Sequence, residues 1–197
     1  MRNILKNRKA LSTVVTTLII LVVSVLLAGV VTYYAINIVS TRVQQESLNL
    51  QYAHVWFSTT DSQAEAAIMI TNTGGRDVVL QTIAVRGQTI NSSNLFYFKV
   101  TTIADLTYVS QTKLNSTTHA RTSTPISNKT AVPTGLGATG NFTATTGAIT
   151  LASGKTIAVY MTGDPGSVTV NDVGLTIAIS VFSAQATYIK ETNVNAV

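Results

Sequence analysis

The chain contains few residues of the types that catalyse reactions. Its two histidines, His54 and His119, belong to no catalytic motif, because no G-x-S-x-G, H-E-x-x-H or P-loop sequence occurs. Cysteine is absent, which excludes disulfides, thiolate metal sites and a cysteine nucleophile. We interpret both histidines as surface or edge-strand residues. The sequence therefore predicts a protein that is not an enzyme, with no catalytic residue and no cofactor.

Two pairs of acidic residues are the other candidates for chemistry. Asp61 and Glu65 flank one predicted loop, and Asp164 and Asp172 bracket another. A Ca²⁺ ion needs about six oxygen ligands, several of them carboxylates, and neither pair supplies that number. Asp164 directly precedes Pro-Gly, and Asp172 can cap or start a strand. We predict turn residues here and no metal site.

A third group of residues has the spacing for a covalent modification. All Asn-x-Ser/Thr sequons of the chain fall between residues 91 and 141, and none has proline in the middle. Each is a possible acceptor for an N-linked glycan on an exterior loop. Sequons arise by chance in a chain rich in Ser and Thr, but their clustering favours modification of at least two. The acceptors are Asn91, Asn115, Asn128 and Asn141.

The charge distribution excludes one class of function. The formal net charge is +5, but four of the positive residues lie within the first ten positions. Without that segment the chain is nearly neutral, so it has no basic patch for phosphates, and we predict no nucleic-acid binding. Charged residues make up only 11% of the chain, so hydroxyls, amides or attached sugars must keep the surface hydrated.

The longest apolar stretch, Leu11 to Thr41, carries no charge. A run of more than about 18 such residues predicts a membrane-spanning helix, and the basic flank before it keeps the N-terminus inside the cell. At about 1.5 Å per residue this helix would be roughly 46 Å long, more than a bilayer core of about 30 Å requires. We expect it to continue to about residue 50, because Val43, Leu48 and Leu50 could extend an apolar face.

Small residues in this stretch predict a packing surface between helices. Ser24, Ala28 and Thr32 are spaced four residues apart, and Gly29 lies beside them. Such ridges allow helix backbones to approach closely.

The remainder of the chain has the pattern of a β-rich domain. Short runs of alternating or β-branched residues predict seven or eight strands, at 52–57, 66–71, 77–86, 96–102, 106–110, 148–151, 157–161 and 173–181. The turn signal at 72–75 predicts a hairpin between the second and third. Region 111–147 is rich in Thr, Ser, Asn, Gly and Pro, so we predict an exposed polar loop. Strands at this spacing suggest a β-sandwich.

The junction before the helix identifies a resemblance. Arg8 and Lys9 are followed by Ala10 and then at once by the apolar run from Leu11. This order resembles the class III signal peptide of archaeal type IV pilins and archaellins, the archaeal flagellar subunits. In that family a prepilin peptidase cuts before the helix, here between Ala10 and Leu11. An ordinary secretory signal fits poorly, because its apolar region would be about 7–15 residues long.

The resemblance implies a fold and a function. The fold is α+β: a leader at 1–10, a hydrophobic helix at 11–50, and an antiparallel immunoglobulin-like β-sandwich head at 51–197 with its polar loop at 111–147. The function is that of a structural pilin. The precursor lies in the cytoplasmic membrane with its N-terminus inside. The processed chain joins other copies on an assembly platform into a helical surface filament, with its helix in the core.

Departures from the family pattern bear on which filament this is. Bacterial pilins usually carry Glu at the fifth mature position, where this chain has Val15, and this favours an archaeal system. Archaellins commonly have Gly before the cut and at the third mature position, where this chain has Ala10 and Thr13. We therefore favour an adhesion pilus over the archaellum. The other alternative is an uncleaved, single-pass membrane anchor that carries an extracellular binding domain.

Overall fold

The computed structural model describes residues 8–60, 62–109, 133, 135–137 and 142–197. Two compact units divide the chain, one up to Gln44 and the other Gln45–Val197, and each is described by itself. The first is a single helix. The second, called the head below, contains all the described strands. The predicted order of a long apolar helix followed by a β-rich domain is confirmed.

Helix α1 spans Arg8–Gln44. Its segment Ser12–Thr41 has a mean hydropathy of 2.9, and none of this segment is buried. By length and composition it could cross a membrane, although a signal sequence would meet the same criteria. The helix ends at Gln44 and not near residue 50, because Leu48 and Leu50 belong to the first strand of the head.

The strands of the head form one curled and mostly antiparallel sheet. The strands are β1 Leu48–Ser58, β2 Gln63–Asn72, β3 Val78–Val85, β4 Gln88–Thr89, β5 Leu95–Val100, β6 Thr143–Ala144, β7 Ile149–Leu151, β8 Thr156–Met161, β9 Thr176–Ser183 and β10 Thr187–Ala196. Their order in the sheet is β4-β3-β9-β10-β1-β2-β8-β5-β6, with β7 also paired to β3. The pair β1/β10 is parallel and joins the two halves of the sheet.

The predicted hairpin between the second and third strands is wrong. Strand β2 pairs with β1 and β8, whereas β3 pairs with β4, β7 and β9. The reason is the fully buried Asn72, whose Nδ2 donates to the carbonyls of Arg76 (2.8 Å) and Leu151 (3.0 Å). Its Oδ1 accepts from the amide of Gly74 at 3.0 Å. These bonds turn the chain out of β2 towards the other half of the sheet.

Two separate hydrophobic cores lie on the two faces of β1, β2, β5 and β8. The first core also receives side chains from β3, β7 and β9; its fully buried members include Val55, Ile68, Ile70, Val85, Val159, Ile179 and Val181. The second core is formed by Trp56, Ala67, Met69, Phe96, Phe98, Val100, Leu106, Leu136, Phe142, Ala158 and Tyr160. Strand β2 is therefore buried on both faces.

A β-bulge in β1 decides which residues face which core. Gln51 is opposite Met69 and His54 is opposite Ala67, so β1 has one extra residue between them, and Tyr52 there has φ 48°. The extra residue reverses the alternation of side chains. Leu50 before it and Val55 after it therefore both contact the first core. The neighbouring Trp56 faces the second core.

The described parts of the predicted polar loop differ from the expectation. Leu136 and Phe142 are both only 1% exposed and belong to the second core. The strand predicted at 106–110 is also wrong over its described residues, because 101–109 contain neither strand nor helix. A loop that was expected to bury little thus supplies part of a core.

The last predicted strand begins later than expected. Ile177, Ile179 and Val181 are buried in β9, whereas Val173 and Leu175 are exposed. A tight turn holds the exposed residues outside the core, because the amide of Leu175 donates to the carbonyl of Asp172 at 2.9 Å.

Candidate functional sites on the helix and at Asn91

The surface of α1 is the first candidate site. Every described side chain from Ser12 to Thr41 is exposed, and apolar residues occupy all sides of the helix. A helix that is apolar all round is stable only where lipid or other helices cover it. The arrangement therefore indicates a covering environment that α1 itself does not supply.

Hydroxyl side chains on the predicted ridge of α1 form hydrogen bonds within the helix. Ser24 Oγ donates to the carbonyl of Ile20 at 2.6 Å, and Thr32 Oγ1 donates to the carbonyl of Ala28 at 2.8 Å. Burying an unpaired hydroxyl away from water is costly, so these internal bonds lower the cost of burying the helix. The hydroxyls on the predicted ridge do not oppose contact with lipid or another helix.

The predicted packing residues are open to a partner. Ser24, Ala28 and Thr32 form the expected exposed ridge, and Gly29 lies about 100° round the helix from Ala28. A Cβ placed on Gly29 would have no heavy atom within 4 Å. A side chain at this position would not clash within the monomer, so a defect caused by one there would report contact with a partner.

The predicted processing residues lie at the start of the helix. Arg8, Lys9, Ala10 and Leu11 are all within α1, and the helical backbone continues through the expected cut between Ala10 and Leu11. The cut itself stays a prediction.

Asn91 is the one predicted glycan acceptor among the described residues. It is exposed and caps the short 3₁₀ turn Ser92–Asn94. Its Oδ1 accepts from the amide of Ser93 at 3.1 Å and from Ser93 Oγ at 3.2 Å. Neither bond uses Nδ2, the atom to which an N-linked glycan is attached. The folded head therefore presents this sequon as a compact turn on its surface.

The other predicted acceptors, Asn115, Asn128 and Asn141, lie outside the described residues. For the last of them the structure describes the rest of the sequon. Phe142 is buried in the second core, and the exposed Thr143 begins β6.

His54, one of the two histidines considered for chemistry, forms a contact that sequence reasoning missed. Its Nε2 lies 2.6 Å from Asp105 Oδ1, and its ring stacks on Trp56 with a centroid separation of 5.1 Å. The paired residues are 51 positions apart, so no local pattern could have found them. His119 lies outside the described residues. Within the described part of the chain, no group of three His, Cys, Asp or Glu side chains could hold a metal ion.

The prediction of turn residues is confirmed for the second acidic pair, Asp164 and Asp172. It is wrong for Glu65, which is fully buried in β2, and Asp61 lies outside the described residues.

Asp172 is buried and Oδ2 accepts from the amide (2.8 Å) and hydroxyl (3.0 Å) of Thr169, in a capping box. Its Oδ1 lies 3.0 Å from the guanidinium of Arg86. The Thr169 amide and hydroxyl, and then Arg86, lower the pKa of Asp172 below its ordinary value. Asp164 Oδ1 accepts from the amide of Ala64, which fixes the loop after β8 to the start of β2.

Comparisons with known proteins add no further assignment. No family model matches the chain, and no curated protein matches it at a significant level.

Proposed function

We propose that the chain is a structural subunit of an archaeal type IV-like surface filament, a pilin that polymerises through α1. One observation carries the proposal: the apolar segment Ser12–Thr41 is entirely unburied, whereas the head after it has two cores of its own. A helix of this kind needs lipid or other helices to cover it, whereas the head buries apolar residues among its own strands. The basic-pair junction at Arg8–Leu11 supports the choice of a pilin.

The proposed assembly begins with a precursor in the membrane, its leader inside and its head outside. A prepilin-type peptidase removes residues 1–10, and an assembly platform transfers the helix from lipid into a bundle of identical helices. Lipid tails are as apolar as leucine, so the transfer gains little from hydrophobic burial. Close packing at Ser24, Ala28, Gly29 and Thr32 would provide the favourable contacts instead.

The head would form the outer surface of such a filament, as an extracellular domain without catalysis. We propose for it an immunoglobulin-like sandwich, since side chains from both halves of the curled sheet contact one first core. Glycans on Asn91 and on the other sequons would hydrate a surface poor in charge. Among filaments we favour an adhesion pilus over the archaellum, on the basis of Ala10 and Thr13.

The second candidate function is an uncleaved membrane anchor with an extracellular binding domain. The length and composition of Ser12–Thr41 are sufficient for that role also. Processing separates the two candidates, because an anchor keeps its basic leader and a pilin loses it.

The test is the N-terminus and intact mass of the protein recovered from the cell surface. A chain that starts at Leu11 supports the pilin, and a mass above the polypeptide value adds glycosylation. A chain that starts at Met1 refutes the filament subunit and leaves the anchor. Ala10→Leu is expected to block processing and leave the precursor in the membrane, whereas Ala28→Leu retains the processing site and should be cut normally.

A further inference from the structure

The second core has an unusual cover. On the sheet side it rests on β1, β2, β5 and β8, which are hydrogen-bonded to one another in register. On the other side, part of the cover is the segment Thr101–Val109, called the strap here. The strap contains neither strand nor helix. Leu106, only 3% exposed, is its one fully buried side chain.

Side chains of the sheet hold the strap in place. Tyr160 Oη donates to the carbonyl of Thr107 at 2.9 Å, and Glu65 Oε1 accepts from the amide of Val109 at 3.1 Å. Tyr160 is completely buried, and burial, assisted by the charge of Glu65, raises its pKa, so its hydroxyl remains a donor at neutral pH. These two hydrogen bonds, called the ties below, join the strap backbone to side chains of the sheet, and neither is part of a strand pair.

Two further contacts lie at the outer side of the strap. Asp105 pairs with His54, and the ring of Tyr108 meets Trp56 edge-on at a centroid separation of 6.2 Å. The side chain of Asp105 is 64% exposed, so solvent screens this contact and it adds little to the attachment of the strap.

Where the strap begins, the amides of Thr101 and Thr102 donate to the carbonyl of Leu136, and Thr101 Oγ1 donates to the carbonyl of Gly137 at 2.6 Å. Beyond these bonds, the strap is held by the buried Leu106, by the two hydrogen bonds to the sheet and by side chains that are only partly buried against the second core, namely Ala104, Tyr108 and Val109.

Lifting the strap would leave the sheet intact. The pairs β1/β2, β2/β8 and β5/β8 do not involve residues 101–109, and the first core lies on the opposite face. Proteins open locally in units with free energies below that of global unfolding, and units with few backbone pairs and few buried contacts open first. After the bonded Thr101 and Thr102, the described strap has no strand pairing and one buried side chain, whereas the sheet beneath it has many of both.

We propose that residues 103–109 of the strap form a lid that opens as one unit from the folded sheet and exposes the aromatic side chains that it contacts, Trp56 and Tyr160. In the closed state the lid hides an apolar surface of the head. In the open state the first core and the strand pairs persist. The inference rests on the head alone and does not depend on whether the chain forms filaments.

The absence of cysteine from the chain permits a direct test. Met69 and Ile70 are neighbours on β2, both fully buried, but Met69 faces the second core and Ile70 the first. Met69→Cys and Ile70→Cys would be made separately in the full chain, kept in non-ionic detergent, and labelled slowly with a thiol reagent. We expect Met69→Cys to react at least about tenfold faster, with a weaker dependence on urea, because only lid opening is needed.

Two further substitutions separate the lid from the sheet. Ile179→Val weakens the first core and should raise the labelling rate of Ile70→Cys roughly threefold to tenfold, while the rate of Met69→Cys stays unchanged. Removal of a tie by Tyr160→Phe should raise the rate of Met69→Cys roughly fivefold, the equivalent of one typical hydrogen bond. A lid predicts these responses because opening leaves the first core intact.

Equal labelling rates with equal urea dependence at Met69→Cys and Ile70→Cys would overturn the lid, as would an equal effect of Ile179→Val on both rates. A second measurement needs no substitution. Trp56 is the only tryptophan of the chain and lies under the strap contact with Tyr108. Its emission should shift to the red at a lower urea concentration than the loss of the β-sheet circular dichroism signal, and coincident transitions would also contradict the lid.

Discussion

Helix α1 and the head differ in whether their apolar side chains are buried. In the head, apolar residues lie between elements of the same unit, and β2 is buried on both faces. In α1, the segment Ser12–Thr41 is at least as apolar, yet none of it is buried. Hydrophobic burial is the main stabilising term in folding, so the head can obtain it from its own residues and α1 cannot.

This difference indicates where each kind of substitution should act. A change in a head core should alter the stability of one chain and leave its associations untouched. A change on α1 should alter insertion or association and leave the melting of the head untouched. The four predictions below test that separation, and any effect that crosses between the two units would weaken it.

The largest effect is expected for Ile68→Ala in β2. Ile68 is fully buried in the first core, and truncating a buried isoleucine to alanine costs about 2–5 kcal/mol of unfolding free energy. Urea unfolding followed by circular dichroism would measure the loss. Membrane insertion of the chain, measured by fractionation, should not change.

Ile189→Ala is the matched control for this prediction. Ile189 is the same residue type in the same head, but its side chain is 62% exposed. Its truncation should change the unfolding free energy by less than about 0.5 kcal/mol. Similar losses at both positions would mean that the first core does not hold the head together.

The second effect is expected at Gly29 of α1. Gly29→Ile adds a branched side chain where the monomer has open space, so any loss must come from contact with another helix. In the proposed filaments, this variant should lower the temperature of dissociation by roughly 10 °C, as part of the close packing is lost, while urea unfolding of the head is unchanged. Electron microscopy after stepwise heating would record the dissociation.

Val30→Ile adds bulk at the next position and serves as its control. Val30 is already large and branched, so the added methylene should leave filament melting within about 2 °C of the parent chain. Filaments of Gly29→Ile with unchanged thermal stability would show that this part of the ridge is not an interface.

The two units also differ in how far the sequence predicted them. The uniform apolar composition of α1 was enough to predict a helix without any information on its partners. The prediction was wrong at the C-terminal end, because the helix ends at Gln44 and not near residue 50. In the head, the alternation of residues in β9 and β8 located strands but could not identify their neighbours. The turn at Asn72 therefore suggested a hairpin, although its buried amide directs the chain into the other half of the sheet.

The remaining errors have the same origin in long-range contacts. Leu136 and Phe142 are isolated apolar residues in a polar sequence, and only the fold shows that both belong to the second core, where Phe142 contacts the rings of Phe98 and Tyr160. The bulge at Tyr52 leaves no local signal, yet it decides that Trp56 faces that core. Of the candidate sites, the sequon at Asn91 was found from three adjacent residues, whereas the pair of His54 and Asp105 could not be found from sequence.

The third effect is expected to be smaller and dependent on pH. The pKa of Asp172 is lowered in the folded head by the Thr169 amide and hydroxyl and then by Arg86. Its stabilising contribution is therefore present above the pKa of an unfolded aspartate and is lost as the pH falls through the lower folded value. Asp172→Asn should lower the melting temperature of the head at pH 7, by less than Ile68→Ala does.

The difference in melting temperature between Asp172→Asn and the parent head should disappear as the solution becomes acidic enough to protonate Asp172 in the folded state. Melting followed by circular dichroism at a series of pH values would show the convergence. Asp77→Asn is a control, because Asp77 also accepts a backbone bond, from Ser153, but on the exposed surface. If the difference in melting temperature between Asp172→Asn and the parent head stayed constant across the acidic range, the charge of Asp172 would not have the assigned stabilising role.

The smallest effect on folding is expected at Asn91. Asn91→Gln removes the glycan acceptor and the short cap of the turn Ser92–Asn94, and an exposed cap of this kind contributes about 1 kcal/mol at most. On the proposed model of a glycosylated surface pilin, the variant should be lighter by the mass of one glycan and should still assemble into filaments. Asn94→Gln changes the same residue type three positions later, outside any sequon, and should keep the full mass. An unchanged mass for Asn91→Gln would show that this exposed turn is not modified, and the proposed glycans would then have to lie on the other sequons.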